Sequence, residues 1–129
     1  VATHDEIRAI ALKFPGAEET ADRFGFHVPL KVKGQTKYKG FAWAWLERVD
    51  PKKGRVPNNN VLAIRTPSLE AKELILASDP IKFFTEPHYN GYPAVLVRIA
   101  EATKEDFEDL LLEAWRCTAS KDLLSKYAD

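Results

Sequence analysis

Apolar residues recur at helical spacing near both ends of the chain and at strand spacing between them. Ile7, Ile10, Ala11 and Phe14 follow a Thr3/Glu6 pair at capping-box spacing, which predicts an amphipathic first helix ended by Pro15-Gly16. Past the acidic stretch 16–24, residues 25–34 alternate from Val28 to Lys33. Gly34-Gln35-Thr36 reads as a turn, and 37–47 resumes a period of two through Tyr38, Phe41, Trp43 and Trp45, so the two runs form a hairpin. A polar loop is expected over 48–60 and a third strand over 61–66.

Ser68 opens a second helix, 68–78, with Ala71, Leu74, Ile75 and Ser78 on one face. Asp79-Pro80 reads as another N-cap, followed by one or two helical turns over 80–84. A strand over 94–100 comes next. Thr103 then caps a strongly amphipathic helix through Phe107, Leu110, Leu111, Ala114, Trp115 and Thr118, and a short helix lies near 120–128. The order α-β-β-β-α-β-α predicts an α+β fold in two layers, a largely antiparallel sheet with helices packed on one face. Strands that do not alternate with helices, and the lack of G-x-G-x-x-G after a strand, argue against a dinucleotide-binding fold.

A chain of 129 residues is expected to form one domain over 1–129. The longest apolar run, FAWAWL at 41–46, is far shorter than the ~20 residues of a membrane span. Neither a basic n-region nor an apolar h-region stands at VATHDEIRAI. The lone Cys117 forms no internal disulfide and no cysteine-based zinc site; its place on the long helix predicts a half-buried thiol. These features together predict a cytoplasmic protein without a membrane partner.

Charge sharpens the functional reading. The 19 basic and 19 acidic residues cancel, so bulk charge gives no reason to expect nucleic acid. Their distribution differs: residues 31–56 set Lys31, Lys33, Lys37, Lys39, Arg48, Lys52, Lys53 and Arg55 against only Glu47 and Asp50. The opposite bias falls on 101–113, where Lys104 stands among six acids. Lys31 and Lys33, two apart, share a strand face, as do Lys37 and Lys39 on the partner strand. With Lys52, Lys53 and Arg55 in the next loop they form a candidate phosphate-binding surface, giving affinity without sequence information. Edge lysines also deter sheet aggregation, the plainer explanation.

The densest run of side-chain chemistry is TEPHYNGYP, 85–93. His88 could serve as a base with Tyr89 or Tyr92 as hydroxyl donor, but no nucleophile accompanies it. Its Pro and Asn-Gly letters are better explained as a shaped turn entering a strand, with His88, Tyr89 and Tyr92 left as candidate ligand or partner contacts. His4, His27 and His88 lack any metal-ligand spacing, and no Gly-rich phosphate loop or nucleophile elbow is present, so no metal, cofactor or enzymatic activity is expected.

Four segments resemble the MmcQ/YjbR family across nearly the whole chain. They are FPGAEET (14–20), VPLKVKG through FAW (28–43), SDPIKFFTEPHYNGYPAVLVRI (78–99) and EDLLLEAWR (108–116). The most specific piece is H-Y-x-G-Y-P followed by V-L-V-R. The resemblance implies a small bacterial protein of CyaY-like, "double wing" fold, for which DNA binding is suggested by the fold. The leading expectation is therefore weak, sequence-independent DNA binding through the 31–39 hairpin and the following loop. The alternatives are a protein partner or a second copy bound on an aromatic sheet face, or a small ligand near His88.

Overall fold

A computed structural model describes residues 2–47 and 52–127. Helix α1 (His4–Ala11) precedes β1 (Glu18–Glu19), β2 (Gly25–Val32), β3 (Gln35–Glu47) and β4 (Val56–Arg65). Helix α2 (Leu69–Ser78), β5 (Phe83–Phe84), β6 (Ala94–Arg98), α3 (Lys104–Thr118) and α4 (Lys121–Ser125) complete the order. The strands form one antiparallel sheet in the order β1-β2-β3-β4-β6-β5. The expected α+β architecture is present, with two short edge strands added.

Strand pleating sorts the sheet into two faces. Phe26, Val28, Ala42, Ala44, Leu62, Ile64, Val95 and Val97 point to the main core, where they meet Ile7, Ile10 and Ala11 of α1 and Phe107, Leu111, Ala114 and Trp115 of α3. Both predicted helical faces are buried as their spacing requires. Trp115 stacks on Phe14 at 5.5 Å and donates its indole N–H to the Pro15 carbonyl at 3.0 Å, closing the turn after α1. On the opposite face Val61, Ala63, Ala94 and Leu96 form a smaller cluster with Tyr89, flanked by Trp43, Trp45 and Phe84.

The structure corrects the sequence reading at five places. The hairpin turn is Lys33-Gly34, not 34–36: Val32 pairs with Gln35, and both turn residues take positive φ, +51° and +79°, as a two-residue primed turn needs. Strand β4 begins at Val56 rather than 61, so residues 56–60 of the expected loop belong to the strand. Asp79 caps as expected, its carboxylate accepting the amides of Ile81 and Lys82, but residues 80–82 make only a turn before the chain extends into β5. Helix α2 is rotated from its predicted face: Leu74 is 74% exposed, whereas Lys72, at 2%, is buried with Ile75 and Leu76 half-buried beside it. Finally, Cys117 is exposed, pointing off the side of α3 opposite Trp115.

Helix α3 is tied to the β5 edge through one carboxylate. Asp106 Oδ2 accepts the Thr103 amide at 2.9 Å, completing a capping box, and the Lys82 ammonium at 2.8 Å. Burial alone would raise the Asp106 pKa, but the bonds from Lys82 and Thr103 prevail and hold it below the usual carboxylate value. A carboxyl depressed in the folded state stabilises the fold above its unfolded pKa and loses that contribution as pH falls through the folded value. Asp106→Asn is expected to cost about 1 kcal/mol at neutral pH. Urea titrations of the two proteins should converge progressively as pH falls from about 4 through the lower folded value of Asp106.

Candidate functional site

The open face of the sheet owes its shape to a bulge in β3. Phe26 pairs with Ala42 but His27 pairs with Gly40, so Phe41 is an extra residue. Phe41 and Ala42 both turn into the main core, and the pleat resumes with Trp43 and Trp45 on the open side. Without the extra residue, Tyr38 and Trp43, five positions apart, would lie on opposite faces. With it, Tyr38 joins His27 on the open face at 4.7 Å between ring centroids. Gly40 lies beside the Trp43 indole, with which an added Cβ would make an ordinary 3.4 Å contact, and its carbonyl accepts Arg65 Nε at 3.0 Å.

The 86–93 segment folds over this face as a sequence of tight turns. A 3-10 turn, Pro87–Tyr89, leads to Asn90 at φ −63°, ψ 130° and Gly91 at φ +78°, a type II turn closed by the Tyr92 amide on the Tyr89 carbonyl at 3.0 Å. The Ala94 amide then bonds the Tyr92 carbonyl at 2.8 Å, so the chain bends around Pro93 into β6. Both carbonyls also accept the Lys72 ammonium, that of Tyr92 at 2.9 Å. Burial lowers the Lys72 pKa, partly opposed by nearby Glu73. Thus the turn reading of this segment holds, and its anchor is a lysine from α2.

That anchor places the aromatic side chains. Tyr89 is buried against Val61, Ala63, Ala94 and Leu96, and its hydroxyl accepts the Trp43 indole N–H at 3.0 Å. Burial raises the Tyr89 pKa, so the phenol is neutral at physiological pH. Tyr92 is 38% exposed, and the Arg65 guanidinium lies between its ring and that of Trp43, 5.7 and 5.4 Å from their centroids. The His88 imidazole is exposed and meets the edge of Tyr89.

Two adjoining hollows result. One, about 330 Å³, is lined by Arg23, His27, Tyr38, Trp43, Arg65 and Tyr92 among others; the second, about 420 Å³, by Trp43, Leu46, His88, Tyr89 and Tyr92. Trp43 and Tyr92 border both. Among the described residues no carboxylate lines either hollow; Glu18 reaches His27 from the rim at 3.3 Å. Arg23 Nε is buried without a hydrogen-bond partner. A cleft with aromatic walls and two guanidinium groups suits a flat, negatively charged ligand.

The basic residues expected to act together are divided. Opposite pairs Val28–Lys39 and Leu30–Lys37 put Lys37 and Lys39 on one side of the ribbon, whereas Lys31 pairs with Thr36 on the other and Lys33 occupies the turn. All four are exposed. Lys52, Lys53 and Arg55 lie past the far end of β3, a thirteen-residue strand spanning roughly 40 Å. Arg55 is half-buried and donates to the Leu46 carbonyl at 2.9 Å. Arg48 falls outside the described residues. Among the described residues no three His, Cys, Asp or Glu side chains gather as a metal site, and no helix is long and apolar enough to cross a membrane.

Comparisons with known proteins supply no activity. The chain is 39% identical over 71 residues to Uncharacterized protein Mb2600 of Mycobacterium bovis and, to the same extent, to Uncharacterized protein Rv2570 of Mycobacterium tuberculosis. The matched stretch covers 55% of this chain and 55% of each relative, so the chain spans about half the length of the curated relatives it matches. No family model matches, and no solved structure matches significantly.

Lys72 provides a direct test of how the site is held. Lys72→Met removes a buried charge, while both carbonyls keep their backbone N–H partners. Global stability is therefore expected to change by no more than about 2 kcal/mol. Hydrogen exchange at the Tyr92 and Ala94 amides should nevertheless accelerate; unchanged protection would show that the ammonium does not hold the turns. Because the folded pKa of Lys72 is depressed, the wild type should gain stability relative to the variant as pH rises from that value toward about 10.4.

Proposed function

We propose that this is a non-catalytic binding protein whose working surface is the open sheet face, and that its ligand carries a flat apolar group and a negative charge. The observation that carries this reading is the Arg65 guanidinium lying over the rings of both Trp43 and Tyr92, in a cleft that no carboxylate lines among the described residues. Both walls are fixed before any ligand arrives: Trp43 by the Tyr89 hydroxyl and Tyr92 by the turns that Lys72 secures. Preorganisation of this kind lowers the entropy cost of binding. His88 lines the adjoining hollow, where no Ser, Cys or carboxylate accompanies it among the described residues, which favours a contact role over catalysis.

The hairpin reading of DNA binding receives less support, since its lysines occupy two sides of one ribbon and the remaining cations lie at the opposite end of β3. Membership of the MmcQ/YjbR family is part of the proposal. It is supported by the sequence segments and by two antiparallel pairings at opposite ends of β3, residues 28–32 with 35–39 and residues 45–47 with 56–58. A cytoplasmic location belongs to it as well, supported by the single thiol.

The dye 8-anilinonaphthalene-1-sulfonate, an aromatic sulfonate, is a suitable probe. Saturable binding with energy transfer from tryptophan is expected, and Arg65→Gln or Tyr92→Ala should weaken it about ten-fold while near-UV circular dichroism stays native. Equal affinity in all three proteins would refute the assignment.

A further inference from the structure

The open face offers more than one ring. Tyr38, 59% exposed, packs on His27 at one end of the first hollow, and Tyr92 and Trp43 stand at the other. The second hollow continues from Trp43 and Tyr92 to His88, whose ring lies 5.5 Å from Tyr89, itself 6.1 Å from Tyr92. Aromatic groups therefore follow one another along a track longer than a single planar ligand. Arg23 and Arg65 also line the first hollow, whose described lining includes no carboxylate; Glu18 stands at its rim against His27.

Alternating rings and guanidinium groups along an open groove match the needs of one polymer class. Unpaired bases present faces for stacking, and the phosphates joining them carry one charge per unit. A duplex hides its base faces, so it would engage only the cations and leave the aromatic track unused. An acidic peptide supplies the charge but no regular succession of flat groups. Deepening the proposed function, and resting on it, we infer that the ligand of this face is single-stranded nucleic acid, with bases stacked on Tyr38 and Tyr92 and backbone phosphate held by Arg23 and Arg65. The contacts are sequence-tolerant, because any base offers a face and none of these cations is placed to read a base edge.

The test is fluorescence anisotropy of a labelled oligothymidylate of about ten nucleotides, with quenching of tryptophan emission as a second readout. Single-strand binding is expected to exceed duplex binding of the same length about ten-fold at matched salt. Tyr92→Ala and Tyr38→Ala should each lower affinity roughly five-fold or more, with Tyr92→Phe and Tyr38→Phe near wild type. Arg23→Gln should reduce the dependence of log affinity on log salt by about one phosphate equivalent. Duplex bound as tightly as single strand, equal displacement by poly-glutamate of matched charge, or unchanged affinity in both alanine variants would each overturn the inference. If the sulfonate dye still binds through Arg65 while oligothymidylate does not, the cleft assignment survives and the nucleic-acid inference alone falls.

Discussion

The Lys72 ammonium sits beneath two consecutive turns, and the carbonyls that receive it belong to the residues whose side chains form the open face. Removing an ammonium from water costs several kcal/mol, and charge-assisted bonds to carbonyls return about 1.5–3 kcal/mol each, so the arrangement adds little net stability. Its effect is positional. With the Tyr89 and Tyr92 carbonyls directed toward α2, the Tyr89 ring lies over Ala63 and Ala94, its hydroxyl meets Trp43, and Tyr92 closes on Arg65. An apolar residue at this position would fill the space but leave the turns free to choose other carbonyl directions.

The second constraint is the extra residue at Phe41. A regular β3 would place Tyr38 and Lys39 in the opposite sense relative to Trp43, sending Tyr38 toward the helices. The bulge instead gives the main core two consecutive side chains, Phe41 and Ala42, and brings Tyr38, Trp43 and Arg65 onto one surface. Core packing and site assembly thus depend on the same irregularity. Arg65 reinforces it by donating to the Gly40 carbonyl, just ahead of the extra residue.

Legibility in the sequence followed the strength of periodicity. Helices α1 and α3 have one unbroken apolar stripe each, and both cap and face could be read from Thr3/Glu6 and from Phe107 through Thr118. In α2 the run Leu74-Ile75-Leu76 satisfies two different faces, and nothing local announces that Lys72 is the buried residue. Gly40 before Phe41 was a visible sign of a bulge, because glycine inside a strand often marks one, but the aromatic alternation concealed it. The Asn-Gly turn of 85–93 was legible from its letters, whereas the partner of its carbonyls lies in another helix. Arg23 and Arg65 carried no signal of their own; only the pairing of β2, β3 and β4 brings them to a common cleft. The placement of the lysines was hidden for the same reason, since proximity in sequence does not reveal which side of a ribbon or which end of a long strand each one occupies.

Function on this account resides in a preformed surface, not in the charged arms that draw attention in the sequence. Amide chemical-shift mapping during titration with the aromatic sulfonate examines that claim most directly. The account predicts that shifts concentrate at His27, Tyr38, Trp43, Arg65 and residues 88–92, with the hairpin tip at Lys33-Gly34 and residues 52–55 nearly unmoved. Shifts centred on either arm, with the open face unperturbed, would contradict it.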